Sequence, residues 1–366
     1  MTSRLNIKDI VDPSTYSAFL FLFSFFFFFF SITKSDVLLQ LTLCSRPSEL
    51  QLTPSSVRHM LTVLLMLIRL VTGQKVDRTE LFMQFQLDVY YPPSSGSAQA
   101  GGDSRPPIVV FFHGGSLIHG SRCSPPQYLV HNNLGAYFAS RGMLAVIADY
   151  RLVPNAVFPQ GAEDVRDALL WVTEHVPEGD PTQIYVLGHS AGGIHVANML
   201  LLPHLFQLQL RQALRGVVLI GVPYEIPGGK MSELQSAATQ YYGGVRNIAL
   251  NQPLGLLRRA GTGGHITILP PIRNIIGENE PRSIKGAARA FSKLFREKGG
   301  VLEDFTLQGH DHISSILALS TDVGEEWAQE IVNWISRCGA APCGQDMACT
   351  EKRMKDELIK SPNYYF

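Results

Sequence analysis

Short, wholly apolar runs separated by stretches of helical spacing carry the main pattern of this chain. Ile108-Val-Val-Phe-Phe112, Met143 to Ala148 and the run opening at Ile184 lack polar alternation, so each reads as a strand buried on both faces of a parallel sheet. Gly216 to Val222 reads as a further strand, order resumes with Ile272 to Ile276, and Val301 to Leu307 makes a final strand, these last two carrying polar residues. Between them, Val165, Leu169, Leu170 and Val172 give Ala162 to His175 one apolar helical face. A helix is expected from Ser190 toward Leu202, another runs to about Lys298, and Trp327, Ile331, Trp334 and Ile335 mark an amphipathic helix over Val323 to Cys338. Strand and helix in alternation predict a doubly wound, mostly parallel sheet. Leu81 to Tyr91 reads as a partly alternating strand stopped by Pro92-Pro93, and Ser94 to Pro107 as a surface loop.

Between Pro223 and Pro270 the strand pattern fades into helical pieces too rich in tyrosine and leucine for disorder. An insertion at that point lies over the carboxyl edge of the sheet, so residues 223–270 are expected to form a small cap walling a pocket. The folded domain is expected over residues 76–338, with a leader over 1–75 and a tail over 339–366. In the leader, Ala18 to Phe30 is nearly pure phenylalanine and leucine, too short to span a bilayer and without a small-residue cleavage site after it. Three readings stand side by side: a signal-peptide core, an anchor, or a mis-assigned start translating non-coding sequence. Met60 to Val71, which carries Arg69, is a second short apolar run, suited to rest on the domain or on a membrane surface. A cytoplasmic location is expected, unless the Phe-rich run is a true signal or anchor, which would make the chain secretory or membrane-associated.

With 366 residues, 45% of them hydrophobic, the chain can bury one full α/β core. Its 31 basic and 31 acidic residues cancel, which disfavours nucleic acid as a partner and suits a small neutral molecule. Cys44, Cys123, Cys338, Cys343 and Cys349 are odd in number and lack a CxxC pair, so they read as free thiols. No HExxH, no P-loop, no GxGxxG after a strand and no clustered metal ligands occur, so no cofactor is implied.

Chemistry concentrates where strands end. Ile184-Tyr-Val-Leu-Gly-His-Ser190-Ala-Gly-Gly193 passes from strand through G-x-S-x-G into helix. The flanking glycines permit a tight turn that exposes Ser190, and the helix N-terminus behind it favours developing negative charge. Ile108 to Phe112 delivers His113-Gly114-Gly115-Ser116, and the strand ending at Ala148 delivers Asp149-Tyr150-Arg151. Asp149 and Arg151 are expected to form a structural pair, because buried charge needs a partner. The last two strands deliver Gly277-Glu278-Asn279-Glu280 and Gly309-His310-Asp311-His312.

These landmarks, in this order, resemble the α/β-hydrolase superfamily over about residues 80 to 338. The likeness is greatest to the carboxylesterase branch that includes hormone-sensitive-lipase-like esterases and kynurenine-formamidase-like hydrolases. The resemblance implies an α/β-hydrolase fold and a triad in the chain order nucleophile, acid, base, with Ser190 first and His312 last. The family's histidine directly precedes a hydrophobic residue, which selects His312 before Ile313 over His310. Its acid stands three positions after the strand-end glycine, which here is Glu280; Glu278, Asp304 and Asp311 are the alternatives. The oxyanion hole implied is the N–H of Ala191 with that of Gly114 or Gly115, His113 shaping the turn. Ser116 and Leu117 depart from the glycine or aromatic and the tryptophan of many relatives, and His119, His131, His189 and His195 read as packing or surface residues. The implied activity is hydrolysis of carboxylic esters with small or medium acyl groups. An arylformamidase-type amidohydrolase acting on a small amide, and a non-catalytic binding protein on the same fold, are the alternatives.

Overall fold

The computed structural model describes residues 76–81, 85–93, 105–123, 130–226, 232–261 and 264–340. The apolar runs of the leader and the cysteines Cys44, Cys343 and Cys349 lie outside the described residues, as does the tail beyond Ala340. Eight strands form one sheet: β1 (Val76–Leu81), β2 (Phe85–Tyr90), β3 (Ile108–Phe112), β4 (Leu144–Ala148), β5 (Ile184–His189), β6 (Leu214–Ile220), β7 (Ile272–Gly277) and β8 (Leu302–Leu307). Their spatial order is β1-β2-β4-β3-β5-β6-β7-β8, parallel from β4 through β8, with β1 and β2 antiparallel at one edge.

All five residues of β3 are buried, and they serve two cores in alternation. Ile108, Val110 and Phe112 face a layer containing α2 (Gln160–His175), α3 (Ala191–Leu201) and α8 (Arg282–Glu297), while Val109 and Phe111 face α1 (Asn132–Ala139) and α10 (Glu326–Ala340). A strand covered on both sides has no use for polar positions, which is why these runs read as continuous rather than alternating. The helices show the complementary pattern. In α8, Ala287, Ala288, Phe291 and Phe295 are buried along one stripe, and fully burying each phenylalanine contributes roughly 2–3 kcal/mol.

The sheet winds outward from β3. The chain steps from β3 to β4 on one side, then crosses to β5 on the other, so strand order reverses between β3 and β5. A crevice opens at the carboxyl ends of strands at such a reversal. The turn after β3 and the turn after β5 are the two that carry His113-Gly114-Gly115 and Ser190.

Between β6 and β7 lie α5 (Glu233–Tyr242), α6 (Val245–Asn251), α7 (Pro253–Arg259) and a 3-10 turn at Ile266–Ile268, with no strand among the described residues. Two further helices, α4 (Leu208–Ala213) and α9 (Ser314–Leu317), are short connections. Four elements have no counterpart in the sequence reading: β1, α1, α4 and α9. The edge strand β1 pairs on one side alone, so its polar segment needs no apolar face. Helix α1 contains Asn132, Asn133 and Gly135, poor helix formers, and forms because Leu134, Tyr137 and Phe138 are wholly buried. Helix α10 runs two residues into the stretch set apart as a tail. Among the described residues no helix is long and apolar enough to cross a membrane.

Candidate active site

Ser190 occupies the N-cap position of α3 with φ 49° and ψ −116°, a conformation costly for a residue with a side chain. The turn is held from both sides: the Ser190 N–H donates to Ile220 O at 2.9 Å, and its carbonyl accepts from Ile194 N at 3.1 Å. Strain paid for by these contacts keeps the hydroxyl at the carboxyl edge of β5.

The Ser190 hydroxyl stands 2.9 Å from His312 Nε2, and His312 Nδ1 stands 3.0 and 2.9 Å from Glu280 Oε1 and Oε2. With the ring proton on Nδ1, it donates to the carboxylate, leaving Nε2 free to accept from the serine. Glu280 is 5% exposed and the His312 side chain 27%, so the carboxylate is sealed beneath an imidazole that reaches solvent on one side. The three side chains come from the turns after β5, β7 and β8.

The loops bearing Glu280 and His312 are joined to each other. Glu278 N donates to Leu307 O at 2.8 Å and Asn279 N to His310 O at 2.8 Å, while the exposed Glu278 carboxylate accepts from Gly309 N at 2.8 Å. Glu278 therefore braces the base loop and does not reach the imidazole. Asp304 accepts from Asn274 and Ser292 at 2.9 and 2.6 Å, and Asp311 caps the start of α9 through Ile313 N and Ser314 N. His310 Nδ1 lies 3.1 Å from Ser314 Oγ, while the Ser190 hydroxyl meets His312.

Gly115 has φ 133° and Gly114 lies so close to the elbow that a Cβ on it would sit 2.8 Å from His189 Nδ1 and 3.1 Å from Ser190 Cβ. The turn can approach Ser190 only without a side chain. The N–H groups of Gly114, Gly115 and Ala191 have no acceptor among the described residues. Beyond the turn, Ser116 and Leu117 take left-handed φ values of 53° and 70°, a backbone that costs a residue with a side chain about 1–2 kcal/mol. His113 Nδ1 donates to Gly114 O at 2.7 Å, its ring stacks 4.5 Å from that of Tyr150, and the Tyr150 hydroxyl donates to His113 O at 2.8 Å.

The expected Asp149–Arg151 pair does not form. Asp149 accepts from Arg122 Nη1 at 2.8 Å and from the Arg122 backbone N–H, and Arg122 Nε also reaches Asp88 at 3.0 Å. Burial pushes the Asp149 carboxyl up, but His113 and Arg122 beside it prevail and hold it below the usual value. Arg151 turns instead to Asp164, at 2.6 Å from Nη2 and 2.9 Å from Nε. β4 ends at Ala148, so strand alternation no longer places Asp149 and Arg151 on a common face, and each takes its partner from a different element.

Two residues of the site carry more than their sequence reading. His189 Nε2 donates to His312 O at 2.8 Å, and its ring lies under Gly114, so the residue before Ser190 touches the Gly114 turn and pins the loop that carries His312. Burial, with His312 nearby, pushes the His189 imidazole down to about 3, and burial does the same to His131 and His195. His119, by contrast, is exposed and meets Glu233 of α5 at 2.9 Å. Gly221, at the end of β6 with φ 56°, leaves the room in which acid and base meet: a Cβ there would fall 2.6 Å from Glu280 Oε1. The sequence signal for both was position alone, the middle of G-x-S and a glycine closing a buried strand. Cys123 and Cys338 are free thiols, and no three-residue metal cluster occurs among the described residues.

A family model described as alpha/beta hydrolase fold matches residues 109–244. Probable carboxylesterase 1 of Arabidopsis thaliana is 27% identical over 180 residues, 44% of this chain and 53% of that protein. Tuliposide A-converting enzyme b1, amyloplastic, of Tulipa gesneriana is 37% identical over 97 residues, 24% of this chain and 25% of that protein. The chain thus spans about half the length, or less, of these curated relatives. Among solved structures, a hyperthermophilic esterase from the archaeon Pyrobaculum calidifontis superposes with TM-score 0.58 at 20% identity, covering 80% of this chain and 93% of that one, a likeness of fold. The fold is that of an α/β hydrolase, and the partial family match and these relatives make the chain similar to carboxylesterases built on that fold.

Proposed function

We propose that this chain is a serine hydrolase that cleaves carboxylic esters of small or medium acyl groups through an acyl-enzyme. The observation that supports this most is the unbroken path from Glu280 through His312 to Ser190, each link 2.9 to 3.0 Å long. As His312 Nε2 takes the hydroxyl proton, Ser190 Oγ bonds to the ester carbonyl carbon and the carbonyl oxygen becomes an oxyanion facing the N–H groups of Ala191 and of Gly114 or Gly115. Collapse breaks the bond to the alcohol, which leaves with the proton from Nε2. Water then attacks the acyl-serine, giving its proton to Nε2, and the second collapse releases the carboxylic acid and returns a proton to Oγ. Glu280 holds the imidazole in the required tautomer and stabilises it when charged. Helices α5 to α7 would wall the acyl pocket, and the His119–Glu233 contact ties that wall to the oxyanion turn.

A fluorophosphonate probe tests the nucleophile, and a rate comparison of p-nitrophenyl acetate, longer p-nitrophenyl esters and N-formylkynurenine tests the substrate class. We expect an adduct on Ser190, fastest turnover on the shorter esters, and a loss of about six orders of magnitude in kcat for Ser190→Ala. No adduct on the folded protein would overturn the catalytic reading in favour of a binding protein, and preference for the formyl amide would move the substrate class to arylformamides.

A further inference from the structure

Behind the base loop, on the face of the sheet covered by α10, lies a cavity of about 360 Å³ that the proposed hydrolysis does not use. Arg273 of β7 stands at its floor, Phe305 and His310 form one side, and Trp327, Glu326 and Glu330 of α10 form the other. Arg273 is only 5% exposed, yet its cation is poorly compensated. The guanidinium carbon lies 4.7 and 4.8 Å from the ring centroids of Phe305 and Trp334, and the nearest carboxylate, half-exposed Glu303, is 3.4 Å from Nη2. Nε is buried without a hydrogen-bond partner. A planar guanidinium with aromatic rings near its carbon and an unmade hydrogen bond at Nε is short of acceptors, and a carboxylate meeting its Nη edge supplies them.

The opposite wall carries the opposite sign. Glu326 and Glu330 are one helical turn apart, both exposed, and neither has an ion-pair partner among the described residues. A simple anion would meet these carboxylates, and a simple cation would meet Arg273. A molecule bearing both charges answers both. We propose that this cavity binds a small zwitterion with an apolar body, of the class of an aromatic or aliphatic α-amino acid. Its carboxylate pairs with the Arg273 guanidinium at its Nη edge, its ammonium lies toward Glu326 and Glu330, and its side chain packs on Phe305 and Trp327. The cavity is at the small end of the range for ligand sites, which suits an occupant of that size.

The test is calorimetric titration of the full chain with L-phenylalanine, with phenylalaninamide, which lacks the carboxylate, and with 3-phenylpropanoate, which lacks the ammonium. Saturable binding of phenylalanine is expected, weaker by about tenfold or more for the amide and by about threefold for the propanoate. Arg273→Met should abolish it. The surface double variant Glu326→Gln/Glu330→Gln should weaken phenylalanine about threefold or more while leaving the propanoate unweakened, and it keeps the test decisive if loss of Arg273 disturbs folding. No saturable heat with phenylalanine, equal or tighter binding of either analogue, or an unchanged affinity in the double variant would each overturn the assignment. Because the readout is binding, failure here leaves the serine-hydrolase reading standing, and failure of that reading leaves this one.

Discussion

Gly221→Ala isolates the room that the acid and base require. The new Cβ would stand 2.6 Å from Glu280 Oε1 and 3.1 Å from His312 Nδ1, on a residue whose φ is 56°. Carbon and oxygen settle at about 3.3 Å, so the carboxylate must retreat by about 0.7 Å, and its 2.9 and 3.0 Å contacts to the imidazole cannot both survive. A displacement near 1 Å at a reacting group costs about two orders of magnitude, and complete loss of the carboxylate's orienting role costs about four. We therefore expect kcat on p-nitrophenyl acetate to fall between about 100- and 10,000-fold, with stability lowered by about 1–2 kcal/mol for the left-handed alanine. Gly142→Ala separates the two effects, because Gly142 has φ 80° but nothing within 4 Å of its added Cβ. It should show the same stability loss by urea unfolding at nearly unchanged turnover. Wild-type kcat in Gly221→Ala, or an equal loss of kcat in Gly142→Ala, would refute the claim that Gly221 makes space for the pair.

Glu280→Gln should lower kcat by about four orders of magnitude, whereas Glu278→Gln, whose amide oxygen still accepts from Gly309 N, should cost less than about tenfold; the reverse ranking would exchange their roles. His189→Ala should reduce kcat by about tenfold or more while KM changes less, and His189→Gln, which keeps a donor near the Nε2 position, should recover part of it; equal losses in both would remove the hydrogen bond to His312 O from the account. His131, His189 and His195 are each pushed down to about 3 by burial, against about 6.5 in an unfolded chain. Above about pH 6.5 neither state binds these protons. As pH falls from there toward 3 only the unfolded chain takes them up, so stability should decline by up to about 1.4 kcal/mol per pH unit for each imidazole, about 4 for all three. Urea midpoints at pH 7, 6 and 5 measure this, and midpoints that do not move would contradict it.

The legible parts were those in which one residue type answers one local demand. Continuous apolar runs marked the strands covered on both faces, the glycines of G-x-S-x-G marked a turn that no larger residue can make, and the order of strand ends set Ser190, Glu280 and His312 on one edge. What escaped were choices decided by partners distant in the chain. Helix α1 forms against its own propensities because its tyrosine and phenylalanine find a core, and β1 pairs as an edge through backbone groups common to every residue. Asp149 finds Arg122 rather than Arg151 because the direction a side chain takes on leaving a strand is invisible in spacing. His189 read as packing since one imidazole looks like another until its acceptor, a carbonyl 123 positions away, is in place.

The winding order of the sheet also sets a timetable. The elbow and the oxyanion turn belong to strands made early, whereas acid and base ride on the last two, already zipped together by Glu278 N and Asn279 N. A partly synthesised chain thus carries its alcohol with no means of ionising it, and reactivity should appear in a single step once both late loops have emerged. Ribosome-stalled chains of increasing length, exposed to a fluorophosphonate, would display that step as a sharp onset of labelling beyond His312; gradual labelling of chains ending before β7 would show that the alcohol is active on its own.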